Sequence, residues 1–148
     1  MLKVDLGIKN FTKSNIYESL LKESVFFTLK YLNFKQEVEI SLAFVGDRRM
    51  RDLNRRFRNI DKSTDVLSFG FSEDSDLGSD GSLNMGEIFI SMPYAKKQAK
   101  KLGINIKEEL VTLSAHGVIH LSGIDHERSD KEHEKTEKIQ KEVLNNIF

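Results

Sequence analysis

Apolar and polar residues alternate from Leu2 to Ile8, so the chain is expected to open with a β-strand. Asn15 and Glu18 then stand three apart, as in a capping box. Tyr17, Leu20, Leu21, Ser24, Phe27 and Tyr31 follow at helical spacing. Val38, Ile40, Leu42 and Phe44 alternate with Glu39, Ser41 and Ala43, a second strand with one wetter face. Asp47 is placed to cap a short helix whose inner stripe is Met50, Leu53 and Phe57. Thr64 to Phe71 is β-branched and aromatic and reads as a strand. Ser72 to Asn84 is rich in Ser, Asp and Gly and reads as a surface loop, and Glu87 to Ser91 reads as a short strand.

The last third is helical. Ser91-Met92-Pro93 starts one helix with proline in its first turn, and Gly103 stops it. Ile106 to Leu121 is apolar on most sides and is expected to run through the core. Ser129 and Glu132 form a capping box that opens a terminal helix with Ile139, Val143 and Ile147 on one face. The order β, α, β, α, β, β, α, α, α places strands early and helices late. That order implies an α+β fold, a small mixed sheet with helices packed on it. With 148 residues and no internal repeat or linker, a single domain over 1–148 is expected.

Composition narrows the chemistry. The chain has no cysteine, which excludes disulfide frameworks, thiolate metal sites and thiol nucleophiles; a metal here needs His, Asp or Glu. No apolar run approaches a membrane span and the first residues lack the apolar core of a signal peptide, so a cytoplasmic address is expected. Net charge is zero, yet six of the seven arginines (Arg48, Arg49, Arg51, Arg55, Arg56, Arg58) fall within eleven residues. Lys96, Lys97, Lys100, Lys101 and Lys107 make a second basic stretch. Glu73, Asp74, Asp76, Asp80 and Glu87 share a segment without a basic residue. Local fields of this kind attract a polyanion despite the neutral sum.

Three of the four histidines lie in His116-Gly117-Val118-Ile119-His120-Leu121-Ser122-Gly123-Ile124-Asp125-His126. Residues four apart on a helix share a face, so His116 and His120 can aim at one ion. Gly123 is placed to end the helix and turn His126 back as a third ligand. Three imidazoles leave one position open for water, as in a catalytic zinc site, although imidazole also suits Ni, Cu and Fe. His133, within a charged helix, reads as a surface residue, and Asp125 as a turn residue or an acceptor for an imidazole N–H. The spacing is that of a zincin, but Gly117 stands where the general-base glutamate of a peptidase would be. Arg58, at the exit of the arginine-rich helix, offers a forked donor for phosphate oxygens and for charge developing on a phosphoryl group.

The histidine motif resembles the YbeY family of endoribonucleases. So do Asn54-x-x-Phe57-Arg58-x-x-Asp61-x-x-Thr64-Asp65-Val66-Leu67-Ser68-Phe69 and Met85-Gly86-Glu87-Ile88-Phe89-Ile90-Ser91. The resemblance implies a zinc-dependent, single-strand-specific endoribonuclease acting in 16S rRNA 3′-end maturation and ribosome quality control. It implies His116, His120 and His126 as zinc ligands, Arg58 as a functional arginine, and the small ribosomal subunit as a partner. The sequence departs from the family pattern at Asn59-Ile60 for Gly-Lys, Gly70 for proline, Glu87 for aspartate and Ile124 for tyrosine. On this reading Arg55, Arg56, Lys96 and Lys97 hold the flanking RNA backbone. The general base is zinc hydroxide, the RNA 2′-hydroxyl, Asp65 or Glu87. A metallopeptidase and a non-enzymatic ribosome-binding module with a structural metal are the alternatives.

Overall fold

The computed structural model describes residues 1–70, 82–124 and 127–148. The acidic residues Glu73, Asp74, Asp76 and Asp80, most of the expected loop, and Asp125 and His126 lie outside them. Among the described residues the elements are β1 (Lys3–Asn10), α1 (Glu18–Tyr31), β2 (Glu37–Val45), α2 (Asp47–Arg58), β3 (Val66–Gly70), β4 (Leu83–Ser91), α3 (Met92–Leu102), α4 (Ile106–Leu121) and α5 (Asp130–Ile147). The strands form one mixed sheet in the order β1-β2-β4-β3. β1 and β2, and β2 and β4, pair parallel, whereas β3 pairs antiparallel with β4 and forms an edge. The α+β expectation holds.

Strand alternation divides the core between two faces. Val38, Ile40, Leu42 and Phe44 of β2, with Ile88 and Ile90 of β4, meet Leu21, Val25 and Leu29 of α1 and Leu110, Leu113 and Val118 of α4. On the other face Val45, Leu67, Phe69 and Phe89 meet Met50 and Leu53 of α2. α5 lies outermost, packing Ile139 and Val143 against Val111 and Ile119 of α4 and against Leu20, Phe27 and Tyr31 of α1. The helix α1 thus serves two layers. Its buried stripe is Leu21, Ser24, Val25, Thr28 and Leu29, rotated from the stripe expected on periodicity alone.

Several boundaries differ from expectation for local reasons. Asn15 accepts from the Tyr17 N–H at 3.0 Å in a turn, and α1 begins after a left-handed Tyr17 instead of at a capping box. Asp47 is the first residue inside α2, capped by Gly46 without a side-chain bond. Its carboxylate accepts instead from the Ser63 and Ser91 hydroxyls, at 3.1 and 3.0 Å. The expected capping by Ser91 and Ser129 is present, as are the glycine stops at Gly103 and Gly123.

β4 starts four residues earlier than its hydrophobic pattern suggested. Its pairing with β2 passes from Glu39↔Asn84 to Ile40↔Gly86, so Met85 is the extra residue of a bulge that breaks the alternation. Gly86 has φ 131°, and a Cβ there would sit 2.1 Å from the Phe69 carbonyl oxygen. This position demands glycine on both counts. Gly86→Ala is expected to destabilise the fold by more than about 1 kcal/mol in urea denaturation, beyond the usual glycine-to-alanine range.

Candidate active site

The arginine segment is held by its own polar side chains. Asn54 is buried on α2, and its amide donates to the Lys62 carbonyl at 2.8 Å. Arg51 clasps Asp61 with two bonds of 2.9 and 3.2 Å. Asp47 takes the Ser63 hydroxyl at the far end of the same loop. These contacts fix the exit of α2, where Arg58 Nη2 reaches the edge of the sheet and donates to the Ser68 carbonyl at 3.0 Å. Ser68 faces the other way with its hydroxyl, which donates to the Gly117 carbonyl of α4 at 3.4 Å. One strand residue therefore ties the arginine to the histidine-bearing helix.

The same edge carries Asp65. Its Oδ1 accepts from the Val66 N–H at 2.8 Å and the Thr64 hydroxyl at 3.3 Å, and its carbonyl accepts from the Ser91 N–H at 2.9 Å. Between this edge and α4 lies an open cavity of about 520 Å³. Arg58, Asp65, Glu109, His116, His120 and Gln140 all line it. On α4, Glu109, Leu113, His116 and His120 follow at intervals of four, three and four, one continuous stripe facing the cavity. Both imidazoles are half-buried.

Several lining residues were not found by sequence reasoning, and two of them bear on the chemistry. Gln140 comes from α5, and its amide nitrogen lies 2.9 Å from His116 Nδ1. No local pattern links residues 24 apart on different helices. Glu109 does carry a sequence signal: it sits two turns before His116 on the same face. It is 2% exposed, and its Oε1 finds no hydrogen-bond partner among the described residues. Burial pushes its carboxyl above the usual carboxylate range, and the neighbouring Asp65 charge pushes it further.

Other predicted site residues fall elsewhere. Arg55 and Arg56 are exposed and pair with Asp52 at 2.7 and 3.5 Å, outside the cavity lining. Lys96 donates to the Ser14 hydroxyl at 2.6 Å. Lys97 lines a separate shallow groove with Gln98 and Lys101, although Gln98 also borders the main cavity. Glu87 does not join the site as a candidate base. It is exposed on β4 between Met85 and Ile88, and Ile88 packs against α4, so alternation turns Glu87 to the opposite face from the histidines. Phe57, expected in the core, is 62% exposed.

The donor set suits an ion that accepts imidazole. His116 and His120 share the cavity, and an amide at His116 Nδ1 can fix the tautomer that leaves the other ring nitrogen as a ligand. Among the described residues no third His, Asp or Glu completes a metal-binding group, and His126 lies outside them. Position 117 is closed to a peptidase glutamate. A Cβ on Gly117 would stand 2.7 Å from Ile88 Cγ2, in the fully buried core and away from the cavity.

Fold and site together define an α+β domain in which an imidazole pair and the Glu109 carboxyl on one helix face an arginine and the Asp65 carboxyl at a sheet edge. Residues 7–147 match the family described as Endoribonuclease YbeY, and the chain belongs to that family. It is 40% identical over 147 residues to the Endoribonuclease YbeY of Persephonella marina, covering 99% of this chain and 91% of that one. The Endoribonuclease YbeY of Limosilactobacillus reuteri is 36% identical over 134 residues, 84% of either chain. The solution structure of TM1509 from Thermotoga maritima shares the fold, with a TM-score of 0.64, 24% identity, and coverage of 99% of this chain and 89% of that one.

The orphan carboxyl has a measurable consequence. A carboxyl with a raised folded pKa does no harm below its ordinary value of 4.5, where it is protonated in both states. Stability is then lost as pH rises from there through the folded pKa. Glu109→Gln is therefore expected to match the wild type near pH 4 and to exceed it increasingly toward neutrality. Urea denaturation of chelator-treated protein across that range checks this, and a pH-independent difference would contradict it.

Proposed function

We propose that this chain is a metal-dependent endoribonuclease that cuts single-stranded RNA in the cytoplasm, with ribosomal RNA as its substrate. The observation that carries this reading is the shared cavity. It sets a guanidinium, a pinned carboxylate and two imidazoles of one helix face around a single space, in a chain whose family is one of endoribonucleases. Maturation of the 16S rRNA 3′ end, ribosome quality control and contact with the small ribosomal subunit follow from the same family likeness.

His116 and His120, with His126 as the third ligand, would hold zinc, which when bound supplies positive charge to a phosphate oxygen and lowers the pKa of a coordinated water. The protein's own groups divide the rest of the work. Arg58, fixed to the Ser68 carbonyl, directs its remaining donors at the non-bridging oxygens of the scissile phosphate and offsets their growing charge. Asp65, held by the Val66 N–H, accepts the proton of the attacking hydroxyl, from water or from the 2′ position of the ribose. Gln140 orients His116. Arg55, Arg56, Lys96 and Lys97 meet the flanking phosphates, a contact that is salt-sensitive and indifferent to sequence. The exposed pairs of Arg55 and Arg56 with Asp52 are worth little and exchange readily for phosphate. Peptide hydrolysis is disfavoured because the position of its general base is taken up by packing against Ile88.

Two variants separate the roles. His120→Ala is expected to lose stoichiometric metal by elemental analysis, and full retention would contradict its place as a ligand. Arg58→Ala is expected to keep its metal while cleavage of single-stranded RNA falls about 10²–10³-fold, the loss typical of one transition-state donor. Undiminished cleavage would remove Arg58 from the site.

A further inference from the structure

Phe57 breaks the pattern of its helix. By spacing from Met50 and Leu53 it belongs to the inner stripe of α2, yet it is 62% exposed, whereas Met50 is fully buried. Single exposed apolar side chains are ordinary. Phe57 is not single. Its ring lies 5.3 Å from that of Phe69, which lies 5.8 Å from Phe89, both in edge-to-face geometry. The Arg58 guanidinium stands 5.7 Å from the Phe69 ring centroid, within the range of a cation–π contact. An aromatic ladder therefore runs outward from the sheet beside the arginine of the site, and its outermost ring faces solvent.

The surroundings select the kind of ligand. α2 carries six arginines against two aspartates, so the field around the exposed ring favours a polyanion. An apolar partner surface would have to desolvate these guanidiniums. A nucleic acid strand uses both features at once, with phosphates on the arginines and bases on the ring. Arg58 bridges the two regions. It lines the cavity, and it follows Phe57 directly in the chain. A strand passing over the β3 edge would meet the cavity on one side of Arg58 and the exposed ring on the other.

We propose that Phe57 is a stacking platform for a nucleobase of single-stranded RNA, next to the nucleotide held at Arg58. The inference rests on the endoribonuclease reading and adds a binding subsite to it. Stacking tolerates any base, because each has a π face, so the subsite favours unpaired strands without reading their sequence. Duplex RNA, with its bases already stacked, cannot offer one to the ring.

The chain has no tryptophan, so Phe57→Trp gives a single indole reporter at the subsite. Binding of a fluorescein-labelled single-stranded RNA is measured by anisotropy at fixed salt for the wild type, Phe57→Ala, Phe57→Leu and Phe57→Trp. An unlabelled strand is titrated while indole emission is followed. Phe57→Ala and Phe57→Leu are expected to weaken binding about tenfold. Phe57→Trp is expected to bind at least as well as the wild type, with its emission quenched on saturation. Leucine tests the ring, since it keeps apolar bulk and removes the π face. Equal binding by all four proteins with an unresponsive indole would overturn the proposal while leaving the endoribonuclease reading intact. It would assign the ring to a protein partner or to no contact. Loss in Phe57→Ala with full recovery in Phe57→Leu would also overturn it, because apolar contact alone would then suffice. Absence of RNA binding by the wild type would remove the endoribonuclease reading and this subsite with it.

Discussion

The approach of α4 to the β3–β4 edge is the constraint on which the site depends. Gly117 permits it. Without a side chain there, the helix backbone comes close enough for Ile88 to fill the space a Cβ would need, and for Ser68 to donate to the Gly117 carbonyl. That contact sets the rotation of α4, and rotation decides what the helix shows to the cavity. Turning it by one residue would exchange His116 for Gly117 and bury an imidazole in the core. The same strand residue receives Arg58 on its outer edge, so the distance between the arginine and the histidines is fixed by one strand and one helix, both rigid elements. Sites built on such elements hold their geometry better than sites on loops.

The polar groups around this contact are disposed unevenly. Asp47, Asn54 and Asp61 are all satisfied, and together they pin the loop that follows α2. Asp65 is held as firmly. Glu109 is the exception, a carboxyl buried beside the site with one oxygen that has no hydrogen-bond partner among the described residues. A buried polar group left without a partner is costly, and in native proteins such groups gather where function requires them. The carboxyls of Asp65 and Glu109, which line the same cavity, differ in environment: one is bonded to an N–H and a hydroxyl, the other is desolvated. Desolvation and the nearby Asp65 charge both favour the protonated form of Glu109.

Much of this arrangement was legible in the sequence because it is local. The histidines four apart, the glycine stop after them and the alternation of β2 are one-element patterns, and the described helices lie close to where periodicity put them, α1 with a later start and a rotated stripe. Asp125 and His126 lie outside the described residues, so the third ligand remains an expectation of the sequence. Readings failed where a second element intervened. Phe57 has core spacing on α2, but the sheet it should pack on ends at β3, the edge strand. The early start of β4 was hidden by the bulge at Met85, which breaks the period of two. Glu87 was a reasonable base by composition, yet strand alternation turns it from the histidines, and a one-residue difference in register decides such a matter. Gln140 reaches His116 only because α5 packs across α4, a fact no spacing encodes.

The central claim is that one cavity joins the imidazoles of α4 to phosphodiester cleavage. The most direct measurement is cleavage of an end-labelled single-stranded RNA by zinc-loaded protein beside a His116→Ala variant prepared identically. The account expects discrete fragments from the first and intact RNA from the second, with loss of the wild-type cleavage on chelation and its return on adding zinc. Equal cleavage by both proteins would contradict it, as would cleavage that survives the chelator unchanged.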